Sequence, residues 1–164
     1  MTQQSKYGKY IISDPKIECV AYHPTQKLVK GVTFPDEIFL DSGLVEGSPI
    51  IIDIGWRFEV PDPDPVEWEH SHDFDEALCF IGTDPNHPRD LGGEIEFEID
   101  GEKHTFDKTT VIYIPKNLPH CPFIHKRVDR PFLLVVVGLT GKYPTAEEDK
   151  AINPEKYQEE RISK

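Results

Sequence analysis

The most regular stretch of the chain is residues 94–99, where Ile95, Phe97 and Ile99 alternate with Glu94, Glu96 and Glu98. A period of two sends alternate side chains to opposite faces of a strand, so this segment has one buried and one wet face. Asp100-Gly101 follows, a pair suited to the positive φ angles of a tight turn, and residues 103–106 return as the second strand of a hairpin. Shorter β-rich segments recur at 50–54, 77–81, 110–114 and 132–137, separated by Gly, Pro and Asp. That rhythm predicts an all-β domain, an antiparallel sandwich or barrel.

Between these segments the punctuation is equally informative. Residues 61–65 read PDPDP, and three missing N–H donors make them an extended loop rather than a central strand. The loop feeds directly into a histidine-bearing segment. A second long loop, 82–93, is rich in turn residues and long enough to be functional. Helix signals are confined to the end of the chain, where Thr145 and Glu148 match a capping box and Asn153-Pro154 matches an N-cap with proline at the first helical position. Short C-terminal helices are therefore expected. With 164 residues one core is expected, divided as strands and an extension in 1–49 that pack on the barrel or form a dimer interface, a barrel in 50–140 and a helical tail in 141–164. The β-rich segments of the first part are 7–12, 17–22 and 37–40.

Charge narrows the partners. Lys and Arg total 18 against 30 Asp and Glu, a net charge of −12, which repels phosphate backbones and anionic lipid. The longest basic cluster, His125-Lys126-Arg127, is soon followed by Asp129 and reads as a solvated loop, so neither nucleic acid nor membrane is an expected partner. No apolar run approaches the ~18 residues of a membrane span, and MTQQSKYGKYIISDP has no signal-peptide core, so a cytoplasmic protein is expected. Cys19, Cys79 and Cys121 are widely spaced with no CxxC pair, which argues against a disulfide framework or a thiolate zinc site.

The chemistry concentrates in WEHSHDFDEAL, residues 68–78. On a strand, His70 and His72 project from one face, close enough to share an ion. Glu76 lies beyond Asp73-Phe74-Asp75, a tight turn or a continuation of the strand, and even parity keeps it on the same side if the strand continues. A further ligand should come from elsewhere, and His120 is the best candidate: it ends an apolar strand and a proline-punctuated turn, 114–120, in which Asn117 suits the left-handed region.

His70-x-His72-x3-Glu76 followed by Pro115-x-Asn117-x2-His120 resembles the two motifs of the cupin superfamily, a double-stranded β-helix or jelly-roll barrel. Asn117 stands where the family usually has Gly, Asp64 stands where its first motif usually opens with Gly, and Gly82 falls one residue before its usual closing glycine. The resemblance spans roughly residues 50–137. It implies that His70, His72, Glu76 and His120 are metal ligands and that the protein pairs as a homodimer, as small cupins often do through an outer sheet.

Three imidazoles and one carboxylate suit a single divalent Fe, Mn, Ni, Co or Zn ion and leave positions open for water or substrate. The function expected is a metal-dependent enzyme acting on a small oxygenated organic molecule. A dioxygenase, with iron or manganese, is the first guess from the resemblance, with lyase, isomerase, hydrolase and decarboxylase chemistry open. Glu76 is a candidate base. Arg57, Phe74, Tyr113 and His125 are candidate substrate-binding residues, with Trp56 a further pocket-shaping candidate. The alternative is a non-catalytic cupin that binds a small ligand or metal.

Overall fold

The computed structural model describes residues 6–13, 30–32, 38–62 and 64–144. Nine strands run through them: β1 Lys30–Val32, β2 Ile38–Leu40, β3 Ile51–Asp62, β4 Glu76–Ile81, β5 Asp90–Ile99, β6 Glu102–Lys108, β7 Thr110–Ile114, β8 His120–Val128 and β9 Phe132–Gly138. They form two sheets, a six-stranded one in the order β1-β3-β9-β4-β7 with β2 also on β3, and a three-stranded one in the order β6-β5-β8. Every pairing is antiparallel.

The hairpin forms as the alternation requires. Ile99 pairs with Glu102, and Asp100 and Gly101 close the turn at φ 49° and 78°. Ile95 and Phe97 are fully buried, while Glu96 on the other face is held by Lys103 and Lys126. The two sheets close over an aromatic core in which the Phe80 ring meets Phe106 at 5.2 Å and Phe123 at 5.7 Å, both edge-on. Ile51, Leu91, Ile114 and Phe132 complete its fully buried part.

Several expectations change. Residues 7–12 do not form a strand: Tyr10 and Ile11 donate to the carbonyls of Tyr7 and Gly8, a local 3-10 turn at Gly8–Tyr10 with no buried residue. The 37–40 segment yields β2, while 17–22 lies outside the described residues. The short C-terminal helices are not borne out; Thr145, Glu148 and Asn153 lie outside the described residues, among which the 3-10 turn is the one helical element. β3 runs on from the expected 50–54 as far as Asp62, and the end that contains Pro61 pairs only with β1, where a missing N–H costs least. β8 is the strand that His120 was expected to enter after the proline turn, but it runs on to Val128, so His125-Lys126-Arg127, expected as a solvated loop, lie within it with His125 buried.

Candidate metal centre

Two turns bring the histidine-bearing segments together. After β3 the chain runs back along the outer edge of β8, where His70 and His120 form a bridge in which each backbone N–H donates to the other's carbonyl at 3.0 Å. Two residues on, the His72 carbonyl accepts the Asn117 N–H at 2.7 Å. Asn117 sits at φ 64°, the left-handed conformation expected of it. The Lys116 N–H donates to the Asp75 carboxylate at 2.9 Å, which holds that exposed carboxyl below its usual range. Glu76 opens β4 immediately afterwards.

His70, His72 and His120 are buried, and each offers a ligand atom within 4.8 Å of those of the other two. Their rings are aimed by their own backbone. Nδ1 of His70 lies 2.8 Å from the Trp68 carbonyl, Nδ1 of His72 is 2.7 Å from that of Phe74, and Nδ1 of His120 is 2.9 Å from that of Leu118. A carbonyl oxygen only accepts, so in each ring Nδ1 carries the proton and Nε2 presents a lone pair, the tautomer of a histidine prepared to ligate.

Glu76, 5 % exposed, faces two of these lone pairs: its Oε2 lies 3.6 Å from His72 Nε2 and 3.5 Å from His120 Nε2. Both Nε2 atoms are buried without a hydrogen-bond partner. Burial pushes the Glu76 carboxyl up, but the facing imidazoles of His120 and His72 outweigh it and bring the carboxyl down to about 2. That lowering requires a proton on a facing Nε2; with both Nε2 atoms bare, two lone pairs and the carboxylate face one another, an arrangement that is costly unless a proton or a cation sits among them. Donors about 2.1 Å from one ion stand roughly 3 to 3.5 Å apart, close to the two separations that Glu76 makes with His72 and His120, so these donors fit a metal.

Phe74 supports the site from one side. Its ring lies flat against His72, centroids 3.9 Å apart and 4° from parallel. Gly138 lies behind that ring, where an added Cβ would come within 3.2 Å of it.

The other substrate-binding candidates are not brought to the metal ligands. On β9, Glu76 pairs with Gly138 but Arg57 pairs with Phe132, six residues or about 20 Å along the strand. Arg57 is buried there and donates to the Trp56 carbonyl at 3.3 Å. On β5, His120 pairs with Ile99 and His125 with Ile95, about 13 Å away. Tyr113 and Trp56 are on the outer face, because Ile112 and Ile114 on β7 and Gly55 and Arg57 on β3 take the inward positions. Of the expected 82–93 loop only 82–89 is loop, since β5 begins at Asp90; it leaves the Ile81 end of β4, away from Glu76, and is tied down by Thr83 on the Pro131 carbonyl and, at its far end, Asp90 on Arg130.

Two residues escaped the sequence reading. Glu67 is buried with Oε1 3.6 Å from His70 Nδ1, and Asp64 holds His125. Both lie in the proline-rich approach to His70. An acidic residue where the cupin motif has glycine was the one sequence signal for Asp64.

No protein-family model matches the chain, and no curated protein is similar to it. Solved structures are. A cupin superfamily protein from Desulfitobacterium hafniense shares 14 % identity over 68 % of this chain and 79 % of its own, with a TM-score of 0.42. The EutQ protein of Clostridium difficile shares 17 % over 78 % and 86 %, with a TM-score of 0.39. An oxalate oxidase in complex with the substrate analogue glycolate shares 13 % over 72 % of this chain and 55 % of its own, with a TM-score of 0.47. These likenesses concern the fold and transfer no activity. By the course of its own strands the chain is an antiparallel two-sheet β domain that gathers the motif residues together, the arrangement its sequence resemblance to cupins implies.

Proposed function

We propose that His70, His72, Glu76 and His120 hold one divalent transition metal and that the protein is a metal-dependent enzyme acting on a small oxygenated organic molecule. The observation that carries this reading is the pair of buried, unpartnered Nε2 atoms of His72 and His120 facing a buried carboxylate at 3.6 and 3.5 Å. Neutral imidazoles with one carboxylate suit iron, manganese, nickel, cobalt or zinc better than calcium.

When bound, such an ion supplies Lewis-acid polarisation to adjacent substrate oxygens, and with iron or manganese it extends to dioxygenase chemistry. The chain's own contribution is orientation. Backbone carbonyls fix all three imidazole tautomers, and Phe74 holds the His72 plane. Glu76 faces His72 and His120 as the fourth ligand and is the candidate base. An enediol, dicarbonyl, hydroxy acid or phenol is the substrate class proposed.

A cytoplasmic setting is part of the proposal. Cys79 and Cys121 are free thiols, as a reducing compartment maintains. No helix among the described residues is long and apolar enough to cross a membrane.

Metal content by mass spectrometry on protein purified under nitrogen, beside His72→Ala and His120→Ala, tests the reading. Near-stoichiometric transition metal that falls sharply in both variants supports it and directs the search to oxygen-consumption or anaerobic substrate screens. Wild type that holds no more metal than the variants after reconstitution refutes it.

A further inference from the structure

The wall around the four candidate ligands is apolar. Residues directly opposite each other in an antiparallel pair share a face of the sheet, so strand register identifies the inward neighbours of each ligand. Ile114 stands opposite Glu76, and one inward position further along Leu78 is flanked by Val136 and Ile112. Ile51 lies across Gly138 from Glu76, and Ile99 stands opposite His120. Ile51, Leu78 and Ile114 are buried, and Ile99, Ile112 and Val136 pack against the same core.

The other buried charges of the barrel are placed away from this wall. Arg57, the one buried lysine or arginine among the described residues, is six residues or about 20 Å along the sheet from Glu76. Glu67 approaches His70 at Nδ1, the side of the ring turned away from the nitrogen that would ligate. His125, with Asp64 bonded to it, is about 13 Å from His120.

This placement has an electrostatic consequence. A divalent ion held by three neutral imidazoles and the Glu76 carboxylate leaves the site with a net charge of about +1. A substrate that binds through one anionic and one neutral oxygen cancels that charge. A second charge, of either sign, would be set against isoleucine, leucine and valine, and burying a charge without a partner is expensive.

We propose that the site takes a monoanionic chelator whose charge resides on its two binding oxygens and whose body is uncharged and apolar. The inference rests on the metal reading and narrows it. Among hydroxy acids, dicarbonyls, enediols and phenols it selects those with an alkyl or aryl remainder, and it sets aside dicarboxylates, sugar phosphates and amino-substituted acids. Specificity of this kind comes from the lining of the pocket, while the ion fixes only the orientation of the chelating end.

Three hydroxy acids of one length separate the chelating end from the body. 2-Hydroxypentanoate, 2-hydroxyglutarate and 5-amino-2-hydroxypentanoate present the same carboxylate and hydroxyl and end in a methyl, a carboxylate and an ammonium. Their binding to protein loaded with cobalt(II) is read from the visible absorption of the ion, each affinity taken relative to that for aqueous cobalt. Cobalt content is measured first on the same sample, and protein that takes up no cobalt refutes the metal reading and the inference with it. On loaded protein, 2-hydroxypentanoate should bind at least about tenfold more tightly than either charged analogue. Equal affinities, or a preference for either charged end, overturn the inference and leave the metal reading standing. A loaded site that binds none of the three at millimolar concentration also overturns it.

Discussion

The carboxylate of Asp64 accepts two hydrogen bonds from His125, one from the backbone N–H at 2.8 Å and one from ring Nδ1 at 2.9 Å. The partners are 61 residues apart in sequence, and the His125 side chain is fully buried between Phe123 and Phe132. Residues 64–70 are therefore pinned to β8 at both ends, at His125 by Asp64 and at His120 by His70. A contact about 13 Å from the metal ligands thus sets where their segment begins.

Asp64→Asn leaves one amide oxygen for two donors, so a buried N–H loses its partner. Bonds to charged groups contribute about 1.5 to 3 kcal/mol each, and a loss of that order in urea unfolding is expected. Because the 64–70 segment loosens, metal affinity in a chelator competition should fall as well. An Asp64→Asn protein of wild-type stability and affinity would show that the segment is held by other contacts.

His125 adds a pH dependence of definite sign. Burial lowers its pKa from the usual 6.5, and nearby Arg57 acts the same way, against the opposing hydrogen bond and charge of Asp64. The unfolded chain then takes up the proton more readily, so stability from this group is complete above about 6.5 and is lost as pH falls below it. Glu76, near 2 when folded and 4.5 ordinarily, also loses its contribution on acidification, but in the lower window from 4.5 downward. Urea unfolding at mildly acidic and mildly alkaline pH, on wild type and His125→Gln, separates them. Wild type should lose more stability than the variant between the two conditions, and a difference that does not change with pH would be incompatible with a depressed His125.

Local order was legible in sequence and long-range closure was not. Alternation and the Asp100-Gly101 pair specify the hairpin within a few residues, and Asn117 at a left-handed position is likewise a local requirement. The extent of β8 escaped because Pro122, Lys126 and Arg127 obscure its pattern and because its register shifts opposite Phe97 and Ile99, near Cys121 at φ 68°. Bulges break the parity on which sequence reading depends. Tyr113 and Trp56 were considered as pocket residues on size alone. Their outward placement follows from the register of β7 and β3, which places apolar residues on both faces of one sheet.

Metal removal should be visible as stability. An ion that binds the folded chain alone adds about 4 kcal/mol at a free concentration a thousandfold above its Kd. Chelation should lower the thermal midpoint of wild type accordingly, while His72→Ala and His120→Ala should melt alike with and without chelator. Equal melting of loaded and chelated wild type would count against a bound ion.

The stack of Phe74 on His72 gives the last prediction. A ring held 3.9 Å from an imidazole and 4° from parallel restricts the rotation of His72 about its side-chain bonds, so part of the order a metal requires is present before it binds. In Gly138→Ala the new methyl would stand 3.2 Å from the Phe74 ring and press it towards the histidine. Phe74→Leu removes the flat surface but fills much of the space, and should cost about 1 to 2 kcal/mol in folding stability. Both variants should bind metal more weakly than wild type, and a mutation remote from the site, Phe106→Leu, serves as a control for lost stability alone. If Phe106→Leu weakens metal binding as much as Phe74→Leu at equal destabilisation, the stack has no part in preparing His72, and general stability governs the site.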